Sequence, residues 1–226
     1  AERPGSLDPL RELGHALLLV GRNEETLELA GEALANASRF DDAGDLHWML
    51  NQRAIALRRL GRDADALAAL TEAAAMEESG RPNVSQALNL GSLLVDMERP
   101  REALAAIARV DGMSDYGLLV QSAVRLRAYR QLGLEDDAAV WFGRIRDGRE
   151  DGPRIWLDAL VLTGDADAAA DWLATLLADP DRRATALDWC QDYLRSEPLP
   201  GLVPELEARR ALLARADVQA AVEAVG

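Results

Sequence analysis

The sequence predicts an all-α protein built from repeated helix pairs, and three observations carry that expectation. Ala and Leu dominate while aromatic residues make up only 4%, a mix weighted toward strong helix formers. β-branched residues are sparse and no stretch alternates apolar with polar residues, so strands are not expected. Short breaker segments recur at Gly21-Arg22-Asn23, Gly61-Arg62-Asp63, Glu98-Arg99-Pro100, Gly133-Leu134-Glu135 and Gly164-Asp165, with spacings of 40, 37, 35 and 31 residues. Such a period marks an internal repeat.

Each breaker separates two amphipathic stretches in the same phase. Five positions after it stands a small residue: Thr26, Ala66, Ala103, Ala138 or Ala169. Four further on come Ala30, Leu70, Ile107, Phe142 and Leu173, and three beyond those Ala33, Ala73, Val110, Ile145 and Leu176. This is the i, i+4, i+7 stripe of a helix with one buried face. Seven positions before each breaker stand Gly14, Ala54, Gly91, Leu126 and Leu157. The small residues there in the first three pairs suit close approach of two helices.

Local chemistry marks the helix ends. Asn83 and Ser114 are placed to cap the third and fourth pairs. Pro100 and Pro153 fit first helical turns, where a missing N–H costs nothing. Glu135-Asp136-Asp137 favours the positive end of a helix dipole. Arg144–Glu150 reads as a charged, solvated link. After Pro180, Asp181 is a candidate cap for a helix to about Leu194. Residues 196–204, with Pro198, Pro200, Gly201 and Pro204, read as a loop. Short helices are expected at about 204–213 and 216–224.

The order Leu13-Gly14, Leu17, Gly21 and Ala33 resembles a tetratricopeptide repeat. So do Leu90-Gly91, Leu94 and Ala103, and Tyr129, Gly133, Ala138 and Phe142. The resemblance spans about residues 7–178. It departs from the family at Thr26 (usually Ala), at Glu98 (usually Gly) and in the short first helix of the fifth pair, about 153–162. It implies a right-handed α–α superhelix of five pairs, at about 7–40, 42–80, 83–112, 114–148 and 153–179. A degenerate helical cap over 181–226 follows, because the open end of a solenoid needs a different outer face.

Several chemistries lack their residues. All 25 basic residues are Arg, so no phosphate-loop Lys exists. His15 and His47 form no zinc spacing. Asp165, Asp167 and Asp171 lack the Gly and Glu of a calcium loop. No nucleophile elbow is present. No catalysis, cofactor or metal is therefore expected. The net charge of −14 opposes nucleic acid, and no run of 18 apolar residues predicts membrane insertion. The single thiol, Cys190, reads as core packing beside Trp189 and Tyr193, and gives no sign of an oxidising compartment. The expected compartment is cytoplasmic, or periplasmic if a leader is cleaved before Ala1. Trp141, Phe142, Trp156, Trp172 and Trp189 read as packing residues, with Trp48 near the edge of the groove.

The resemblance implies a concave groove lined by the first helix of each pair. Its positions map to Arg11 and His15 in the first pair and to Asn51, Gln52, Ile55, Arg58 and Arg59 in the second. The third contributes Leu88, Asn89, Ser92 and Asp96, the fourth Ala123, Arg127, Arg130 and Gln131, and the fifth Arg154 and Asp158. Arg11, His15, Asn51, Arg58, Arg59, Asn89, Arg127, Arg130 and Gln131 are the candidate partner-binding residues. Arginine forks grip carboxylates, and amides bond an extended backbone. The expected partner is a protein or peptide carrying acidic or C-terminal carboxylate groups. A regulatory part of a larger enzyme or transcription regulator, and a homo-oligomerisation module, are the alternatives.

Overall fold

The structure is a computed structural model that describes residues 5–41, 43–78, 80–191 and 198–225. Tyr193, Leu194 and the first part of the expected 196–204 loop lie outside the described residues. The fold is all-helical. Ten helices alternate with the breakers: α1 (Asp8–Leu19), α2 (Asn23–Ala35), α3 (Leu46–Arg59), α4 (Asp63–Ala75), α5 (Val84–Asp96), α6 (Pro100–Ala106), α7 (Asp115–Gln131), α8 (Glu135–Asp147), α9 (Pro153–Thr163) and α10 (Ala166–Ala178). Three follow: α11 (Arg183–Cys190), α12 (Val203–Leu213) and α13 (Ala216–Glu223).

The breakers share one backbone geometry. Gly21, Gly61, Gly133 and Gly164 have φ of 75°, 72°, 70° and 80°, and Glu98 joins them at 55°. The residue after each glycine donates back five positions, Arg22 to Leu17, Arg62 to Leu57, Leu134 to Tyr129 and Asp165 to Leu160, at 2.9–3.1 Å. This closes the orphan carbonyls of the helix just ended. A glycine reaches the left-handed region freely, whereas a side chain there costs about 1 kcal/mol. Glu98 therefore occupies the repeat position of Gly at some cost.

The repeat phase reads directly onto burial. Thr26, Ala66, Ala103, Ala138 and Ala169 are all buried, as are Gly14, Ala54, Gly91, Leu126 and Leu157. Asn83 Oδ1 accepts from the Gln86 N–H at 3.1 Å and Ser114 Oγ from Gly117 at 3.2 Å, each cap worth about 1 kcal/mol. Asp165 caps α10 in the same way, accepting from Ala168 at 3.2 Å.

The structure corrects the sequence reading in four places. Glu77–Glu78 and Arg81–Pro82 pair as two-residue antiparallel strands, β1 and β2, where none were expected. Helix α6 stops at Ala106; Ile107 and Val110 still bury, but from the turn that leads to Gly112, whose φ is 67°. Arg144–Asp147 forms the last turn of α8 rather than a loop, because Ile145 is wholly buried and anchors it. Asp181 is not the cap of α11, which starts at Arg183 after Arg182; the Arg183 N–H donates to the Asp179 carbonyl at 2.8 Å.

The chain forms two compact units. The first holds residues 5–94 and 105–112, the second 95–104, 113–191 and 198–225. In the first, α3 packs against α1, α2 and α4, and Leu7, Ala30, Ala33, Leu46 and Met49 close one end of the core. In the second, α9 packs against α7, α8, α10 and α12, and α10 against α11 and α13. Its core runs from Leu126 through Leu157, Leu160, Leu173 and Leu177 to Trp189, Leu212 and Val218.

Candidate protein-binding faces

In the first unit, neutral side chains tie the first helices of successive pairs. Gln52 of α3 is buried and its Nε2 donates to the Arg11 carbonyl of α1 at 2.7 Å. Gly14 permits this contact, since a Cβ there would lie 2.0 Å from Gln52 Oε1. Asn89 of α5 donates to Asn51 Oδ1 at 3.0 Å and to Gln86 Oε1 at 3.3 Å. Arg59 donates to the Leu18 carbonyl, at the end of α1 where the dipole is negative. Asn51, Arg59 and Asn89 thus hold helices together.

The remaining candidates of this unit are more open. His15 and Ile55 are exposed. Arg11 is half-buried and pairs with Asp8 at 2.9 Å, and Arg58 lies 3.6 Å from Asp63. Pairs of this exposure contribute little to stability and exchange readily for another carboxylate. Trp48 is half-buried against His47 at 5.2 Å. His47 is buried, with Nδ1 2.9 Å from the Gly44 carbonyl oxygen, so it serves the core.

The second unit treats the same positions differently. Arg127 of α7 lies between Asp96, 2.8 Å away, and Glu205 of α12, 2.6 Å away, with side-chain exposures of only 15%, 15% and 22%. The sequence reading offered Arg127 to a partner; the structure commits it to the chain's own carboxylates, one of them 78 residues distant. Gln131 is likewise engaged, donating to the Val95 carbonyl at 2.9 Å. Arg130 is half-buried and lies 3.4 Å from Glu135. Arg154 meets Asp188 of α11 at 3.2 Å.

A helical turn at Pro200–Leu202 leads into α12 and presses on this face. Gly201 is buried, and a Cβ there would stand 2.3 Å from the Val95 carbonyl oxygen and 2.9 Å from that of Asp96. Asp158 of α9, an expected groove residue, accepts from the Trp189 indole at 2.7 Å. Arg209 of α12 lies 4.8 Å from the centre of the Trp189 ring and donates to the Trp189 and Gln191 carbonyls.

Charge in this cluster is unbalanced. Burial pushes the Glu205 carboxyl above its ordinary range even though Arg127 draws it down. Burial works against the Arg127 guanidinium, but Asp96 and Glu205 more than offset it and hold the proton more tightly. Asp158 still reaches solvent, yet crowding strips enough of its hydration to raise it too, against the Trp189 hydrogen bond and the arginine charges. Burial raises the Cys190 thiol, which suits packing rather than nucleophilic work.

Trp156 and Trp189 are buried, and Phe142 meets Trp156 at 5.0 Å between ring centres. The Trp172 indole donates to the Pro153 carbonyl at 3.0 Å. Trp141 is half-buried, with the Arg125 and Arg144 guanidinium carbons 4.5 and 4.7 Å from its ring centre. The sequence carried half of that signal, the i, i+3 spacing of Trp141 and Arg144. The pairing of Arg127 with Glu205 had no local signal.

Among the described residues no cluster of His, Cys, Asp or Glu is arranged to hold a metal, and no helix is long and apolar enough to cross a membrane. Comparison with protein-family models finds no match, and comparison with curated proteins finds no relative.

Proposed function

We propose that the chain is a protein-interaction module of the tetratricopeptide type, without catalysis of its own, and that it holds an acidic peptide or helix on the first-helix face of its first unit. The observation that carries the reading comes from the second unit. There the equivalent face already grips a helix, α12, through an arginine–carboxylate contact, Arg127 to Glu205. The first unit offers His15 and Ile55 at the positions that correspond to Arg127, with Arg11 one helical turn before His15, and all three reach solvent. An apolar side chain flanked by cationic and amide groups suits a partner with an apolar anchor beside a carboxylate.

The test is peptide selection against the full chain, followed by calorimetry of the selected sequences. Selected peptides are expected to be rich in Asp and Glu, and Arg11→Glu with Ile55→Asp should weaken them at least tenfold while Arg144→Glu leaves them unchanged. Selection of peptides without acidic residues, or equal binding to the Arg11→Glu, Ile55→Asp variant, overturns the reading. Self-association is a second reading, supported by Leu19 and Val20, 72% and 65% exposed at the end of α1. A molecular mass that rises with concentration and returns to one chain in Leu19→Glu supports it.

A further inference from the structure

The segment that fills the second unit's face is attached in an unusual way. Of the eleven residues of α12, only Leu212 is buried. Helix α9, of equal length in the same unit, buries Trp156, Leu157, Ala159, Leu160 and Val161. Apolar burial is the main force that fixes a helix in place; α12 supplies Leu212 with Ala208 and Leu213 partly buried beside it, so it relies more than α9 on other means. Those means are the Arg127–Glu205 contact, the hydrogen bonds of Arg209 to the Trp189 and Gln191 carbonyls, and the close seat of Gly201 on the end of α5. The first can be reproduced by any carboxylate presented at the same place. Glu205 also remains above its ordinary range, which means that its partner does not fully repay its loss of water.

We propose that the face formed by α7, α9, Val95 and Asp96 is a second binding site, kept shut by residues 200–213 of the same chain, and that its partner is another protein's helix that opens on glycine and carries a carboxylate four residues later. Glycine is required because any Cβ at that seat meets the Val95 carbonyl oxygen. The carboxylate is called for because the Arg127 Nε–H then keeps the acceptor that Glu205 now supplies at 2.6 Å. The chain's own Gly201 and Glu205 stand at that spacing, so the internal segment is the template of the partner it excludes. The inference concerns the second unit alone, and it stands or falls separately from the reading of the first.

Two measurements on the full chain test it. Amide hydrogen exchange on the parent compares α12 with α9; local opening leaves its own protection level. The expected result is exchange at least tenfold faster in α12. Equal protection in the two helices means that the segment opens only when the unit unfolds, and overturns the proposal. Calorimetry then follows a synthetic peptide of residues 198–213 binding to the parent and to two variants that loosen the segment by different means, Glu205→Arg by charge and Gly201→Ala by its clash. Both variants should bind at least tenfold more tightly than the parent, and the peptide carrying Glu205→Gln should lose most of that gain. Affinities within twofold of the parent, in variants that remain helical, overturn the proposal.

Discussion

In the first unit, amides tie the first helices of successive pairs: Gln52 to the Arg11 carbonyl and Asn89 to Asn51. In the second, a charged cluster joins an amide in that role: Arg127 stands between Asp96 and Glu205, and Gln131 donates to the Val95 carbonyl. Arg127 stands six positions before its breaker, where the first two pairs place His15 and Ile55. What differs is whether the chain supplies a helix for the face to hold. Where it does, an arginine that would read as a ligand-binding residue becomes part of the unit's own structure. Where it does not, His15 and Ile55 stay in contact with water. The role of a polar side chain on such a face is thus set by what covers it as much as by its place along its helix.

The widest gap between the units should appear on removing one arginine from each. Arg127→Met leaves two poorly hydrated carboxylates facing each other, and loss of one partner from such a cluster costs about 3 kcal/mol. Arg59→Met removes a hydrogen bond from an exposed guanidinium and should cost about 1 kcal/mol or less. Urea denaturation followed by the far-ultraviolet helical signal measures both, and equal losses would erase the contrast. Next in size is Gly14→Val, which drives a side chain into Gln52 and should cost about 2 kcal/mol. Adding Gln52→Ala should restore most of it if the amide tie is the cause.

A third test uses pH. The folded Glu205 carboxyl lies above its unfolded value, so the folded state binds the proton more tightly. Its contribution to stability therefore increases as pH falls from neutrality through the raised value, and is complete below the ordinary carboxylate range. Exposed Asp217 and Glu102, lowered by hydrogen bonds from Arg215 and Arg99, act in the opposite direction. The difference between the parent and Glu205→Gln isolates the effect: the parent should gain on the variant as the solution is acidified. The smallest expected change is Glu98→Gly, which relieves the left-handed strain at the third breaker and should add about 1 kcal/mol. No gain there would mean that Glu98 has compensating contacts.

Much of the fold was legible because each signal was local. The breaker spacing, the small residues at Thr26 through Ala169, and the caps at Asn83 and Ser114 all depend on neighbours within one or two helical turns. The ends of α6 and α8 were misread for local reasons as well. Apolar residues buried from a turn, such as Val110, look like helix, and charged residues flanking Ile145 look like loop. The site was less legible. Arg127, Arg130 and Gln131 share a helix face in the sequence, but the carboxylate that claims Arg127 comes from α12, and only the folded chain brings Glu205 there. The role of Gly201 was invisible for the same reason: a glycine among prolines reads as a turn until the Val95 carbonyl is seen against it.

The packing of the indoles has a spectroscopic consequence. Of the five tryptophans, Trp48 belongs to the first unit, and Trp141, Trp156, Trp172 and Trp189 to the second. Intrinsic emission is therefore almost a private signal of the second unit, while far-ultraviolet dichroism sums both. Recording the two on one sample during denaturation separates the units without a label. Emission from Trp189, which is bonded to Asp158 and lies under Arg209, adds an optical readout of whether α12 is in its seat.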